Sequence, residues 1–287
     1  MRKLSLIFLI LAIIFSGCLK EPEVKSIENH WGKITSEETE IISDITINNP
    51  NSVSIPLSDV EIDLYMNGVH MGRGKAVGDT TISSGEDTLT ISTVIENERL
   101  KDWWVTHIHN GEKTQMKIKY NLVFSILGFD LRLPFETSDY FETEIISQLS
   151  SVDFKGGAKA VEIKKMDFRW DVSNEITSII VSMDLKNNIP AEIPLKFVKY
   201  RMKMNGIEMS EGEVSGNTSI PPLGQKNLKL DIAIENSKIP GWWVTHIKNN
   251  EKTTVLIDMQ IGMKINGKED VFETSQEFEF HTAIAGA

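Results

Sequence analysis

Six consecutive residues, Trp103-Trp104-Val105-Thr106-His107-Ile108, return unchanged 139 positions later as Trp242-Trp243-Val244-Thr245-His246-Ile247. The same offset carries Ile95-Glu96-Asn97 onto Ile234-Glu235-Asn236, Glu112-Lys113-Thr114 onto Glu251-Lys252-Thr253, Trp31 onto Trp170 and Asn48-Asn49 onto Asn187-Asn188. An offset of 138 relates Ile55-Pro56-Leu57 to Ile193-Pro194-Leu195 and Met66-Asn67-Gly68 to Met204-Asn205-Gly206; an offset of 137 relates Phe135–Ser138 to Phe272–Ser275. Slips of one residue are loop insertions and deletions, so the sequence reads as a tandem duplication. Solenoid units repeat every 20–50 residues or so, and a period this long is a whole domain. The expected units are 22–147 and 160–287. Residues 148–159, with Ser150, Ser151, Gly156 and Gly157, read as a flexible linker between them.

Within a unit, Val60, Ile62, Leu64 and Met66 alternate with Asp59, Glu61, Asp63 and Tyr65, which predicts a strand buried on one face, and Asn67-Gly68 predicts a turn. Val198, Tyr200, Met202 and Met204 repeat the alternation against Lys199, Arg201 and Lys203. Further strands are expected over 88–95, 115–126, 129–133, 228–234, 254–265 and 270–280, with a hairpin at Asn266-Gly267. Leu100, Trp103, Trp104, His107 and Ile108 instead follow helical spacing, as do Ile239, Trp242, Trp243, His246 and Ile247. Pro240 suits a first helical turn, Asn236 or Ser237 an N-cap, and Gly111 a helix end. Each unit is then mainly β with one inserted α-helix, a pattern that suits a two-sheet sandwich.

The N-terminus reads as export machinery. Arg2 and Lys3 precede a run from Leu4 to Phe15 in which only Ser5 is polar, too short for comfortable membrane crossing and the length of a signal-peptide core. Phe15-Ser16-Gly17-Cys18 resembles a prokaryotic lipobox, with Phe15 where Leu is usual. The expectation is a signal peptide 1–17, cleavage before Cys18, a lipid on that thiol, and anchoring at the outer face of the cytoplasmic membrane. A cleaved signal with an ordinary thiol and an uncleaved anchor are the alternatives. Cys18 is the one cysteine in the chain, which excludes an internal disulfide framework. Loss of Arg2 and Lys3 with the signal would take the formal charge from −11 to −13. With no basic patch, nucleic acid is not an expected partner, and anionic lipid surfaces are not approached through charge. Lys20-Glu21-Pro22-Glu23 then reads as a short polar tether.

Asn48-Asn49-Pro50-Asn51, followed by Ile55-Pro56-Leu57, a strand ending in Asn67-Gly68, a Gly-rich return, a short amphipathic helix and a closing hairpin, resembles the late-embryogenesis-abundant type 2 family, also called the water-stress-and-hypersensitive-response (WHy) domain. The resemblance covers 24–147 and, through the repeat, most of 160–285. At Asn187-Asn188-Ile189-Pro190 the second stretch departs from the Asn-Pro-Asn order. The resemblance implies a mainly β chain of two tandem immunoglobulin- or fibronectin-like β-sandwich domains, a link to desiccation or other stress, and no enzymatic activity or cofactor.

Few residues invite chemistry. His107 and His109 stand two apart, so they do not share a helix face, and Lys248 replaces the second; a hydrogen-bonded core histidine is the expectation at His107 and His246. Gly72-Arg73-Gly74-Lys75 lacks phosphate-loop spacing and reads as a turn, while Glu37-Glu38 and Glu86-Asp87 read as solvated loops. Asn217-Thr218-Ser219 is a glycosylation sequon. The tryptophan pairs either anchor each helix in the core or, with Ile108 and Ile247, line an apolar cleft; the cleft residues would be Trp103, Trp104, Ile108, Trp242, Trp243 and Ile247. The expected roles are stress protection or interaction with a client protein, or alternatively binding or transfer of a lipid near the membrane. Finally, Glu61, Asp63 and Tyr65 correspond to Lys199, Arg201 and Lys203, an exchange of sign that suggests attraction between the two strands or between neighbouring molecules.

Overall fold

The computed structural model describes residues 20–126, 129–152 and 160–285. The expected signal peptide, Cys18 and residues 153–159 of the expected linker lie outside the described residues. The chain is mainly β, in antiparallel sheets. Its strands are β1 (Glu23–Ile34), β2 (Glu38–Asn49), β3 (Ile55–Met66), β4 (Val69–Val77), β5 (Thr81–Ile82) and β6 (Gly85–Glu96), then β7 (Lys113–Ile126) and β8 (Phe129–Glu142). The remainder are β9 (Val161–Val172), β10 (Ile176–Asn187), β11 (Ile193–Met204), β12 (Ile207–Ile220), β13 (Gln225–Glu235), β14 (Lys252–Ile265) and β15 (Lys268–His281). Helix α1 (Leu100–His109) stands between β6 and β7, α2 (Ile145–Ser151) follows β8, and α3 (Ile239–Lys248) stands between β13 and β14. Two compact units result. The first takes the described residues up to Glu96, Met116–Asp139 and Ala285; the second takes Asn97–Gln115 and Tyr140–Ile284, so that α1 counts with the second.

The first unit's sheet runs β1-β2-β6-β4-β3-β7-β8, with β5 on β3. Its core is the alternation made physical: Ile41, Ile45 and Ile47 of β2, Leu89, Ile91 and Ile95 of β6, and Ile62, Leu64 and Met66 of β3 are buried. Periodicity identifies β3, β6 and β7 but not β1, which has no fully buried residue and so no alternating signal. In the second unit β13-β10-β9 and β12-β11-β14-β15 are two separate sheets. The hairpin turns Asn67-Gly68, Asn205-Gly206 and Asn266-Gly267 all hold both residues at positive φ, 49–50° for Asn and 80–82° for Gly, the geometry that a two-residue hairpin demands.

Gly72–Lys75 is not a turn. It lies inside β4, which pairs β3 on one side and β6 on the other, with Gly74 opposite Thr93. A Cβ on Gly72 would stand 1.8 Å from the Val94 carbonyl oxygen, so glycine is what lets β4 close on β6 and join the sheet into one. Ser210 holds the position 138 residues later, and there β12 and β13 belong to different sheets. Glu86 and Asp87 likewise lie in β6 rather than a loop, Asp87 accepting from the Ser83 and Thr88 amides at 2.7 and 2.8 Å. Gln148–Ser151, expected in the linker, end α2: Ile145 and Leu149, one turn apart, bury its inner face.

The exchange of sign between strands has a local basis. Asp63 faces Arg73 across β3–β4, 3.6 Å apart, and accepts from His70 at 2.8 Å. Arg201 faces Glu211 across β11–β12 at 3.7 Å and reaches Glu208 at 3.5 Å; Lys199 faces Glu213 at 3.5 Å. Positions 63 and 73 correspond to 201 and 211, so both members of that cross-strand pair have changed sign together. Lys199 and Arg201 of β11 are answered within their own sheet, and each exposed pair contributes about 0–1 kcal/mol.

Gly72→Ala is expected to destabilise the chain by at least about 1–3 kcal/mol, the range for overpacking, whereas Ser210→Ala should be near neutral. Urea melts of both variants check this; equal effects would mean that the β4–β6 approach is not what selects glycine.

Candidate functional site

Helices α1 and α3 carry the residues singled out by the sequence, and both lie in the second unit. Leu100, Trp103, Trp104, His107 and Ile108 are the buried residues of α1; Ile239, Trp242, Trp243, His246 and Ile247 are those of α3. A 3-10 turn leads into each helix, at Asn97–Arg99 and Asn236–Lys238. Asn236 is not the N-cap of α3. Lys238 holds that place with no side-chain cap bond, Pro240 sits in the first turn, and the Asn236 amide is committed elsewhere, donating to the Ser173 and Asn174 carbonyls and accepting from the Thr177 hydroxyl at 2.7 Å. Gly111 does close α1, at φ +66°, its amide donating to the Ile108 carbonyl at 3.0 Å.

The six residues suggested as a cleft are all buried, none more than 4% exposed. The helices pair their tryptophans crosswise: Trp103 meets Trp243 edge-on at 5.2 Å and Trp104 meets Trp242 at 5.4 Å. Trp170 stands against Trp104 at 6.2 Å, Phe141 against Trp103 at 6.0 Å and Phe280 against Trp242 at 6.3 Å. Trp104 Nε1 donates to Thr177 Oγ1 at 3.1 Å, so its polar edge also finds a partner inside.

A hydrogen-bonded relay that the motifs do not announce runs behind the tryptophans. Trp103 Nε1 donates to Thr114 Oγ1 at 2.9 Å; an indole can only donate, so the threonine accepts and turns its own hydrogen to His107 Nδ1, 2.8 Å away. At the other end Thr143 Oγ1 donates to the Glu112 carboxylate at 2.8 Å, which leaves its oxygen to accept from His107 Nε2–H at 3.0 Å. The network thereby assigns the neutral Nε2–H tautomer. The same five positions, each 139 later, repeat it: Trp242 to Thr253 at 2.9 Å, Thr253 to His246 at 2.8 Å, His246 to Thr282 at 2.8 Å, and Thr282 to Glu251 at 3.0 Å. Thr114 and Thr253 belong to the repeated Glu-Lys-Thr; Thr143 and Thr282 have no flanking motif, and only their common offset marks them.

Glu112 does more than end the relay. Its Oε1 accepts from Trp170 Nε1 at 2.8 Å and from the Ile146 amide at 3.0 Å, and its Oε2 accepts a short bond from the Ile145 amide, so one buried carboxylate holds the first turn of α2. Glu251 accepts from the Ile284 amide at 2.6 Å. Burial holds the imidazoles neutral, pushing His107 down to about 3 and His246 down to about 4, the latter with smaller contributions from the Lys252 backbone and His281. Both nitrogens of each ring are engaged, so neither is free to exchange a proton with a ligand. Among the described residues no group of three His, Cys, Asp or Glu side chains could hold a metal ion, and no helix is long and apolar enough to cross a membrane.

Residues 44–139 match the model of a family described as late embryogenesis abundant protein. An uncharacterised protein of Methanocaldococcus jannaschii is 24% identical over 153 residues, covering 50% of this chain and 86% of its own. Among solved structures, a protein from Archaeoglobus fulgidus is 26% identical with a TM-score of 0.41, covering 42% of this chain and 98% of that one. A protein from Arabidopsis thaliana is 16% identical with a TM-score of 0.35, covering 43% and 82%.

Three outcomes check the site. Trp242→Ala should cost about 3–5 kcal/mol of stability in denaturant unfolding, as expected for a core indole. Thr143→Val should cost about 1–3 kcal/mol, since it strands His107 Nε2–H without a partner and takes one of two donors from Glu112 Oε2; an effect near zero would mean that water replaces the hydroxyl. Below about pH 6.5 the unfolded chain takes up protons that the folded histidines refuse. Stability should therefore fall as pH falls, by about 1.4 kcal/mol per unit for each histidine, until the folded values near 4 and 3 are reached. Urea melts between pH 7 and 5 measure the slope, and His246→Gln should reduce it.

Proposed function

We propose that this is an exported, non-catalytic protein, anchored at the outer face of the cytoplasmic membrane by lipid on Cys18, that protects against desiccation or related stress through surface contact with client proteins. The family match over residues 44–139 carries this reading, since it falls on the stretch whose motifs resemble the late-embryogenesis-abundant type 2 family. In the same reading the chain arose by tandem duplication and its halves, 22–147 and 160–287, are immunoglobulin-like sandwiches. The five-residue relay recurring at one offset supports the duplication. The tryptophan stripes serve as core: their rings are spent on one another and on Phe141, Phe280 and Trp170, which favours anchoring over a lipid cleft.

Two experiments test the reading. Cys18→Ser should move the protein from the membrane pellet to the soluble exported fraction; sedimentation that persists after a high-salt wash would remove the lipid anchor from the account. The purified mature chain, added to a drying-sensitive reporter enzyme before dehydration, should preserve activity on rehydration better than an equal mass of serum albumin. Equal preservation would argue against a dedicated protective role.

A further inference from the structure

Lys20, at the start of the residues expected as a short polar tether, is held. The Lys20 amide donates to Asn51 Oδ1 at 2.8 Å, and Asn51 Nδ2 donates back to the Lys20 carbonyl at 2.7 Å, so one side chain brackets the backbone as a neighbouring strand would. Pro22 is buried and β1 begins at Glu23, leaving no slack. Asn51 is itself fixed: its amide and its Nδ2 donate to Asn49 Oδ1 at 3.0 and 2.9 Å, and its carbonyl accepts from Ser84 Oγ at 2.6 Å. Asn49 in turn donates to the Val53 and Ile82 carbonyls. In the second stretch Asn187, at an offset of 138 rather than the 139 expected from the sequence, keeps the Asn49 role, donating to the Ala191 and Ile220 carbonyls, and Ile189 takes the Asn51 position, its amide donating to Asn187 Oδ1 at 2.9 Å. Among the described residues the side-chain bracket is seen at Lys20, while in the second stretch the Ala160 carbonyl accepts from the Asn188 main-chain amide at 2.8 Å.

We infer that Asn51 fixes the orientation of the first unit on the membrane, holding its β2–β3 loop, residues 50–54, against the lipid head groups. The inference rests on the lipid at Cys18 proposed above. Cys18 is two residues from Lys20, a reach of at most about 7 Å. The headgroup layer of one leaflet is itself about 5–8 Å thick. A lipid inserted through so short a leash brings the bracketed loop down onto that layer, with Val53, 53% exposed, at its tip. Glu21, Asp79 and Glu86 are exposed around this end, so anionic lipid does not attract it. The leash sets the orientation, which is therefore independent of salt.

Fluorescence quenching in the full, lipidated chain tests this. Cys18 is the only native cysteine and would be consumed by lipid, so Ser52→Cys or Ser36→Cys can be labelled alone. Ser52 lies in the bracketed loop; Ser36 lies past the opposite end of β2, about 40 Å away. In phosphatidylcholine vesicles carrying a headgroup nitroxide lipid, the label at 52 should be quenched several-fold more than the label at 36, at low and high salt alike. Asn51→Ala should abolish the difference. Because Asn51 also closes its loop, a second variant keeps it and inserts ten Gly and Ser residues after Leu19, a spacer of about 17 Å; it too should abolish the difference. Equal quenching at 52 and 36, in protein that floats with vesicles and has lipid mass on Cys18, would overturn the orientation alone. An unmodified Cys18 mass would overturn the lipid anchor and the orientation with it.

Discussion

Everything around α1 and α3 answers to one requirement: an imidazole carried out of water must have both nitrogens bonded. An unpartnered buried polar group costs about 1–3 kcal/mol. His107 meets the requirement with Thr114 on one side and Thr143 on the other, and those two hydroxyls are supplied by the first residues of β7 and the segment after β8. The helix is thereby tied to the strands that follow it, and Glu112 extends the tie to α2 and to Trp170. The tryptophans supply the apolar area, but the histidine decides where each helix sits along its axis.

Much of this is legible in the sequence, and the reason differs by level. Strands β3, β6, β7, β11, β13 and β14 bury one face, so their alternation is visible. Helices α1 and α3 bury a stripe, and helical spacing shows it. The Asn-Gly turns are legible because few other dipeptides tolerate two successive positive φ angles. By contrast β1 and β9 are hardly buried and lack a signal. Strand β4 looks like a turn because its glycines answer to neighbouring strands, Gly72 to the Val94 carbonyl and Gly74 to the Thr93 and Ile62 side chains. The relay hides for a different reason: Thr143 lies 36 residues from His107, and sequence alone gives no means of joining them.

The two stretches agree along the relay and differ elsewhere, on the surface and at the buried Asn51 and Gly72. All five relay positions are preserved, while the charges on β3 and β11, the Asn51 bracket and the glycine that seals β4 to β6 are not shared. Buried polar networks are costly to leave half satisfied, so their members change together or not at all. Surface ion pairs contribute little each, and a pair that exchanges both signs loses nothing.

Glu112 and Glu251 sit at φ +64° and +57°, a region that suits glycine and costs other residues about 1–2 kcal/mol. The backbone asks for one residue and the buried hydrogen-bond partners ask for another. Glycine there would relax the chain and abandon a threonine hydroxyl and a main-chain amide; aspartate would keep the charge and lose the reach. Neither exchange improves on glutamate, so the position is held by conflicting demands on one residue.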